Sequence, residues 1–360
     1  MGQFGARAVL VVTVLAIVSA ACGAVALASS AVAPGGSVAV DSGVGLVSGQ
    51  VFRDPPDAEV EDGIDRALTI TLDTADMRYE LGPGKWAWGQ AYDGSYTVPT
   101  LRVLPGAQVT VRLVNNLAVA TKVRFHGLRL ASAPSDSTPM CVAAGTTMTY
   151  QMAIPDDHPL GTYWYHTHVL TTPCPAASGQ DQSGAEGDNK VYAGLSGALI
   201  VGDDRTLLPP AYRGIAAHTF VLQDPAAATS GAPAPEDCLV NGELRPVLAM
   251  RPNETQLWRL VNATMGVSYQ LRLDNSSFTV VGEDGAPVKT VTTADTLLLR
   301  PGKRYDVLVT AGGWPGDAWL RTTALGKGAD PDDDQYSNTL LVRLAVFGMS
   351  VRRLPPLGSQ

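Results

Sequence analysis

Two stretches of this chain repeat the same residue pattern, and that repeat limits the folds open to it. Residues 99–115 read PTLRVLPGAQVTVRLVN and residues 246–262 read PVLAMRPNETQLWRLVN. The two align without a gap and end on the same Arg-Leu-Val-Asn. A weaker likeness follows between GTYWYHTH at 161–168 and GDAWLRTT at 316–323. Self-similarity of this kind indicates two copies of one structural unit, as in a duplicated domain.

Each copy alternates apolar and polar residues with the period of a β-strand. The alternation at residues 110–114 and 255–261 predicts two half-buried strands. The chain contains 37 Gly and 25 Pro, so turns recur at short intervals, and no stretch keeps a helical period. We therefore expect an all-β protein built from two tandem β-sandwiches.

The sequence outside the repeat sets the expected domain boundaries. The polar and Pro-containing segment DDRTLLPP at 203–210 follows a strand and marks the division between the two units. We expect a signal peptide or membrane anchor at residues 1–33 and a linker at 34–58. A first domain follows at 59–205, a second at 206–350 and a tail at 351–360.

The N-terminal segment indicates export. Residues 8–28 are almost entirely apolar, and Arg7 is the only charged residue before Asp41. This pattern predicts a secretory signal. A run of ~20 apolar residues could equally span a bilayer as an uncleaved anchor. Cys22, in Ser-Ala-Ala-Cys, resembles a lipoprotein cleavage site, so a lipidated Cys22 is a further alternative. In each case the folded part is extracytoplasmic, either secreted or membrane-anchored.

Charge and cysteine content restrict the partners and the crosslinks. The net charge is −8 and no Lys/Arg cluster occurs, which argues against nucleic acid as a partner. Nothing in the sequence indicates the oligomeric state. Export permits disulfides. We favour a Cys141–Cys174 bridge, which leaves Cys238 unpaired, although spacing alone does not fix the connectivity.

Histidine is scarce and concentrated. Four of the five histidines fall within 43 residues of the first unit, and the full set is His126, His158, His166, His168 and His218. On a strand, the i, i+2 spacing of His166 and His168 would direct both rings to the same side. Imidazole pairs suit copper, zinc or nickel. The first unit is therefore the expected place for a metal site.

Three motifs in the first unit carry a family resemblance. Arg124-Phe-His-Gly-Leu, IPDDHPLGTYWYHTH at 154–168 and GLSGALIV at 194–201 resemble the first cupredoxin domain of bacterial multicopper oxidases. The second unit is similar to the middle domain of those enzymes, through VNGELRP at 240–246 and TQLWRLVNA at 255–263. The resemblance implies two tandem cupredoxin-like (plastocyanin-like) Greek-key β-sandwich domains.

The resemblance also implies a partial copper site. In the family, the first His of a His-x-His-Gly motif binds the type 2 copper and the second binds a type 3 copper. Here those positions hold Arg124, which cannot coordinate a metal, and His126. His166 and His168 correspond to ligands of the two type 3 coppers. Asp136 corresponds to the acid that orients solvent at the cluster.

Other family features have no counterpart in this sequence. No histidine follows His218 and no Cys has a neighbouring His, so the mononuclear blue-copper site of the family's third domain cannot be built from this chain in the family's manner. The family reaction oxidises a small molecule or a metal ion and reduces O2. We expect that reaction to be incomplete in this chain alone.

Two other interpretations of the chain stay open. The first is a non-catalytic extracytoplasmic scaffold, in which His126, His166 and His168 are packed without metal. The second is a truncated oxidase remnant. His158, before Pro159, and His218 are interpreted as structural. If copper binds, neutral imidazoles are required, so binding should weaken as the pH falls below ~6.5.

Overall fold

The computed structural model describes residues 49–60, 62–64, 66–82, 85–96, 98–130, 141–167, 194–223, 238–264, 266–325 and 338–357. The strands before residue 202 are β1 Asp62–Ile64, β2 Ala67–Gly82, β3 Lys85–Tyr92, β4 Leu101–Val103, β5 Gln108–Asn115, β6 Val123–His126, β7 Thr147–Ala153, β8 Gly161–Thr167 and β9 Ser196–Val201. Those after it are β10 Ala217–Gln223, β11 Leu239–Val240, β12 Val247–Met250, β13 Thr255–Asn262, β14 Tyr269–Leu273, β15 Phe278–Glu283, β16 Ala286–Ala294, β17 Thr296–Leu299, β18 Arg304–Thr310, β19 Gly316–Thr323 and β20 Leu340–Val346.

The described strands form four sheets that make two sandwiches. In the first sandwich, one sheet has the order β1-β2-β5-β7, with β3 paired to β2, and the other has the order β4-β9-β8-β6. The sheets of the second are β11-β10-β13-β18-β15-β16 and β12-β20-β19-β14-β17. Each sandwich has its own apolar core, one around Tyr165 and the other around Trp258. The all-β prediction of two sandwiches is confirmed.

The sequence repeat corresponds to a repeated arrangement of strands. Its first copy forms β4 and β5, and its second forms β12 and β13. β5 pairs in parallel with β2 and antiparallel with β7, while β13 pairs in parallel with β10 and antiparallel with β18. β4 and β12 also pair in parallel, with β9 and β20. The two copies therefore hold equivalent places in their sandwiches.

The asparagine that ends each copy explains why Arg-Leu-Val-Asn recurs. Both Asn115 and Asn262 are fully buried. The amide of Asn115 donates to the carbonyls of Val119 and Val142, at 2.9 Å each. The amide of Asn262 likewise donates to the carbonyl of Val267, after its own strand, and to that of Leu299 in the opposite sheet, at 2.7 and 2.8 Å. A buried amide with satisfied bonds fixes each strand's exit turn.

The prediction of half-buried strands is right for β5 and wrong for β13. β5 alternates between buried and more exposed residues, whereas every residue of β13 is buried. β13 lies between β10 and β18 with Trp258 in the core of its sandwich. On the opposite face, Val261 packs against Trp164 of the first sandwich. The first sandwich covers part of this face, while Gln256 on the core face bonds the Trp258 indole, so polar residues on both faces of β13 are buried.

The two sandwiches meet through buried polar contacts. The hydroxyl of Thr162 on β8 donates to Asp306 on β18 at 2.5 Å. Tyr163 donates to the carbonyl of Gly285, in the turn between β15 and β16, at 2.5 Å. Asp306 also forms an ion pair with Arg259 at 3.6 Å, with both side chains 3% exposed. These groups hold β8 against the second sandwich.

The remaining structural predictions have mixed outcomes. Cys141 is disulfide-bonded, but its predicted partner Cys174 lies outside the described residues. Cys238 is a buried thiol that faces the carbonyl of Leu239 at 3.6 Å. Within the described ranges no helix is long and apolar enough to cross a membrane, and residues 8–28 lie outside those ranges. The domain boundaries stay predictions.

Candidate metal centre

The pairing of β6 with β8 places the candidate ligands on one face of a sheet. Arg124 lies opposite His166, and His126 lies opposite Trp164. Because side chains alternate along each strand, these four residues share a face. That face is directed towards the second sandwich, where Trp164 packs with Val221.

The two candidate imidazoles lie close together with an indole against both. The ring centroids of His126 and His166 are 5.7 Å apart. The Trp164 ring stacks on His166 at 4.1 Å, with 16° between the planes, and on His126 at 5.1 Å. His166 and Trp164 are 5% and 3% exposed. The arrangement is a compact, largely water-excluded group of three rings.

A backbone hydrogen bond fixes the tautomer of His166. Its Nδ1 lies 2.5 Å from the carbonyl oxygen of Thr167. A carbonyl can only accept, so Nδ1 carries the proton and, in the neutral ring, Nε2 holds a lone pair. Metal-binding histidines commonly donate their other ring N–H to a carbonyl in this way. His166 is therefore prepared to bind a metal through Nε2.

The second sandwich forms part of the wall of this site. Gly302 has a φ of +73°, and a Cβ there would lie 3.3 Å from Cε1 of His126 and 3.5 Å from the Trp164 ring. A Cβ on Gly127 would lie 2.6 Å from a guanidinium nitrogen of Arg304. Both glycines thus allow close approach of the other sandwich. The turn before β18 covers the His126 ring.

Two guanidinium groups give the neighbourhood positive charge. Arg124 lies directly across the strand pair from His166. Arg304 is buried, and its desolvation lowers its pKa, an effect that Asp284 opposes. Arg304 stays cationic because arginine does not lose its proton in proteins. Arg304 also forms an ion pair with Asp284 at 3.3 Å, which offsets its charge, so the repulsion that a bound cation would meet comes mainly from Arg124.

The two histidines interpreted as structural are held by other groups. His158 is 3% exposed, its Nδ1 donates to the carbonyl of Pro159 at 2.9 Å, and its Nε2 accepts the backbone N–H of Arg129 at 3.0 Å. His218 bonds the carboxylate of Asp54 at 2.8 Å. Neither ring lies in the group formed by His126 and His166.

The described metal donors of this site are the ring nitrogens of His126 and His166. Nδ1 of His126 and Nε2 of His166 are buried ring nitrogens on this face. Two such imidazole nitrogens fit copper. His168 and Asp136 lie outside the described residues. Within the described part of the chain, no group of three or more His, Cys, Asp or Glu side chains could hold a metal ion.

Sequence reasoning missed two neighbours of the candidate ligands. The Trp164 ring is buried and contacts both imidazoles. Its i, i+2 spacing from His166 placed it on the same face and could have revealed this. Gly302 is far away in sequence, and no local pattern connects it with His126.

Comparisons with known proteins concern the family and the fold of the chain. The multicopper oxidase family matches this chain twice, through one profile over residues 74–205 and another over residues 215–344. Together these matches cover well over half of the 360 residues. They coincide with the two sandwiches.

Individual relatives are distant. The multicopper oxidase MmcO of Mycobacterium tuberculosis is 28% identical over 290 residues, which cover 69% of this chain and 53% of the relative. The multicopper oxidase mco of Staphylococcus epidermidis is 26% identical over 250 residues, covering 66% and 52%. The chain thus spans about half the length of these curated relatives.

Solved structures share the fold. A laccase from Pediococcus acidilactici matches with a TM-score of 0.67 at 21% identity, covering 86% of this chain and 64% of the laccase. A metallo-oxidase from Campylobacter jejuni matches with a TM-score of 0.64 at 22% identity, covering 86% and 63%. At these identities the structural likeness establishes the cupredoxin-like fold alone. With both family profiles matched in order along it, the chain belongs to the multicopper oxidase family.

Proposed function

We propose that this chain is an exported copper-binding protein that holds copper through a partial type 3 site. The ligands are His126, His166 and the sequence-predicted His168. The observation that carries the proposal is the hydrogen bond from Nδ1 of His166 to the carbonyl of Thr167, because it leaves Nε2 as a buried lone pair. The His126 ring lies 5.7 Å away on the same face.

The chain's own residues prepare the site rather than complete a reaction. Thr167 orients His166, Trp164 packs against both rings, and Gly302 lies against the His126 ring. Copper bound there would supply redox chemistry towards O2, with a small molecule or a metal ion as the electron donor. Arg124 stands where the family has a type 2 ligand, so we propose that the oxidase cycle is incomplete in this chain.

The location and the domain organisation belong to the same proposal. We infer that residues 1–33 direct export or anchor the chain, directly or through a lipidated Cys22, so that the folded domains at 59–205 and 206–350 are extracytoplasmic. Asp136 would orient solvent near the copper. The competing function is a metal-free extracytoplasmic scaffold, favoured by the positive charge of Arg124 beside His166.

The test is a copper titration of the full chain in competition with a chelator. His166→Ala should weaken binding by more than the roughly 10–100-fold that loss of a supporting group costs a metal site. His218→Ala is the matched control, because His218 bonds Asp54 and lies outside the group of rings. It should bind copper like the wild type.

Two results would count against the proposal. If the wild-type chain binds no copper at neutral pH, or if His166→Ala binds as tightly as the wild type, the scaffold interpretation is preferred. Oxidase assays of the copper-loaded chain form a separate arm. We expect no turnover with a phenolic or a metal-ion substrate, and sustained turnover would show that the cycle is complete.

A further inference from the structure

A cleft of about 210 Å³ lies beside the junction of the two sandwiches, and neither His126 nor His166 lines it. Its walls are mostly aliphatic, with contributions from Leu160, Leu208 and Leu257. Protein interiors contain few voids larger than a water molecule. An apolar cavity of about 150 Å³ is known to bind benzene. This cleft is therefore large enough for a compact organic molecule.

One wall of the cleft carries a buried carboxylate. Asp306 lines the cleft and is 2% exposed. The hydroxyl of Thr162 donates to it at 2.5 Å, and Arg259 forms an ion pair with it at 3.6 Å. These partners come from both sandwiches, so the carboxylate is fixed in position. Its charge is balanced by the guanidinium.

The backbone of β15 is irregular where it lies against the Asp306 carboxylate. The register of β15 shifts between Val280 and Gly282, where the strand pairs with β18. A Cβ on Gly282 would lie 2.7 Å from Oδ2 of Asp306, so a side chain there would displace the carboxylate from its present position. Irregularities of this kind re-aim side chains and often occur beside functional sites. The cleft therefore has specific features that a packing defect would lack.

We propose that this cleft binds a small neutral alcohol. The apolar body of the ligand packs against the aliphatic walls, and its hydroxyl donates a hydrogen bond to Asp306. A cationic ligand is disfavoured because Arg259 already balances Asp306 and Lys289 also lines the cleft. An anion would face the carboxylate. Few polar groups in a mostly apolar pocket at a domain junction are typical of small-molecule sites.

The experiment is isothermal titration of the full chain with cyclohexanol, which carries one hydroxyl on a compact apolar ring. Val288→Phe fills the cleft from its lining, and Leu357→Phe does so from the C-terminal tail without altering a strand. Thr293→Phe is the control, because Thr293 lies on the same strand as Val288 but does not line the cleft. Circular dichroism verifies that each variant is folded.

We expect one saturable cyclohexanol site per chain. Each cleft-filling variant should raise the dissociation constant roughly tenfold or more, which is a loss of about 1.4 kcal/mol or more of binding free energy. Thr293→Phe should bind like the wild type. The absence of saturable binding, or equal binding by the cleft-filling and control variants, would overturn the proposal. Cyclohexylammonium has the same ring with a positive charge. If it binds as tightly as cyclohexanol, the preference for a neutral hydrogen-bond donor is overturned. None of these residues is a candidate copper ligand, so the outcome is independent of the copper titration.

Discussion

At the residue scale, His158 links the fold to pH. Its Nε2 accepts the backbone N–H of Arg129, and burial lowers its pKa from the ordinary 6.5. Between that lowered pKa and 6.5 the unfolded chain binds a proton that the native ring does not. The free energy of unfolding should therefore decrease as the pH falls through 6.5, and go on decreasing until the folded pKa is passed.

The measurement is urea denaturation of the wild type and of His158→Gln between pH 8 and 5. Glutamine does not titrate in this range, so the variant should be less stable at pH 8 but lose less stability on acidification. Parallel pH profiles for the two proteins would show that His158 does not cause the dependence.

The buried asparagines allow a second residue-scale prediction. Asn262→Ala removes both amide hydrogen bonds, to Val267 and Leu299, and leaves their carbonyls buried. It should lower the free energy of unfolding by about 2–4 kcal/mol. Asn116→Ala is an exposed control with an expected change within about 0.5 kcal/mol. A loss at Asn262 no larger than at Asn116 would refute the explanation of the repeat.

Residue spacing predicted the candidate site in part. The i, i+2 rule predicted one face for His166 and His168, of which His168 lies outside the described residues, and the strand pairing adds His126 to the face of His166. Gly302 was beyond prediction, because its proximity to His126 depends on how the sandwiches pack. The local periodicity shows which side chains share a face of a strand. It does not show which other part of the protein packs on that face.

At the scale of elements, β13 shows the same limit. Its alternation correctly predicted a strand, but the polar residues Gln256 and Arg259, which lie on opposite faces, are both buried, where half-burial would leave one face exposed. Gln256 accepts a hydrogen bond from the Trp258 indole, and Arg259 pairs with Asp306. Neighbouring structure therefore provides partners for polar groups that the sequence pattern assigns to solvent.

The contact between β8 and β18 can be measured directly. Thr162→Val keeps the shape of the side chain but removes the hydrogen bond to Asp306. A bond to a charged group contributes about 1.5–3 kcal/mol, and we expect a loss of that size in chemical denaturation. Thr149→Val, at an exposed site on β7, should be close to neutral. Equal effects of the two changes would mean that the bond does not stabilise the junction.

At the scale of the whole molecule, the burial of Cys238 predicts the visible absorption spectrum of the copper-loaded protein. Cys238 is buried in the core of the second sandwich, and no histidine follows His218 in the chain. A blue copper site needs a thiolate with two imidazoles. The copper-loaded chain should therefore lack the intense visible band of a copper–thiolate centre, and an absorption spectrum that contains it would contradict this ligand assignment.

X-ray absorption spectroscopy of the copper-loaded chain tests the central claim most directly, because it identifies the atoms bound to copper. We predict nitrogen ligands with the outer-shell scattering of imidazole and no sulfur, since all the proposed ligands, His126, His166 and His168, are histidines. In the His126→Ala/His166→Ala double variant that scattering should disappear along with the bound copper. Sulfur scattering, or an unchanged imidazole signal in the double variant, would contradict the account.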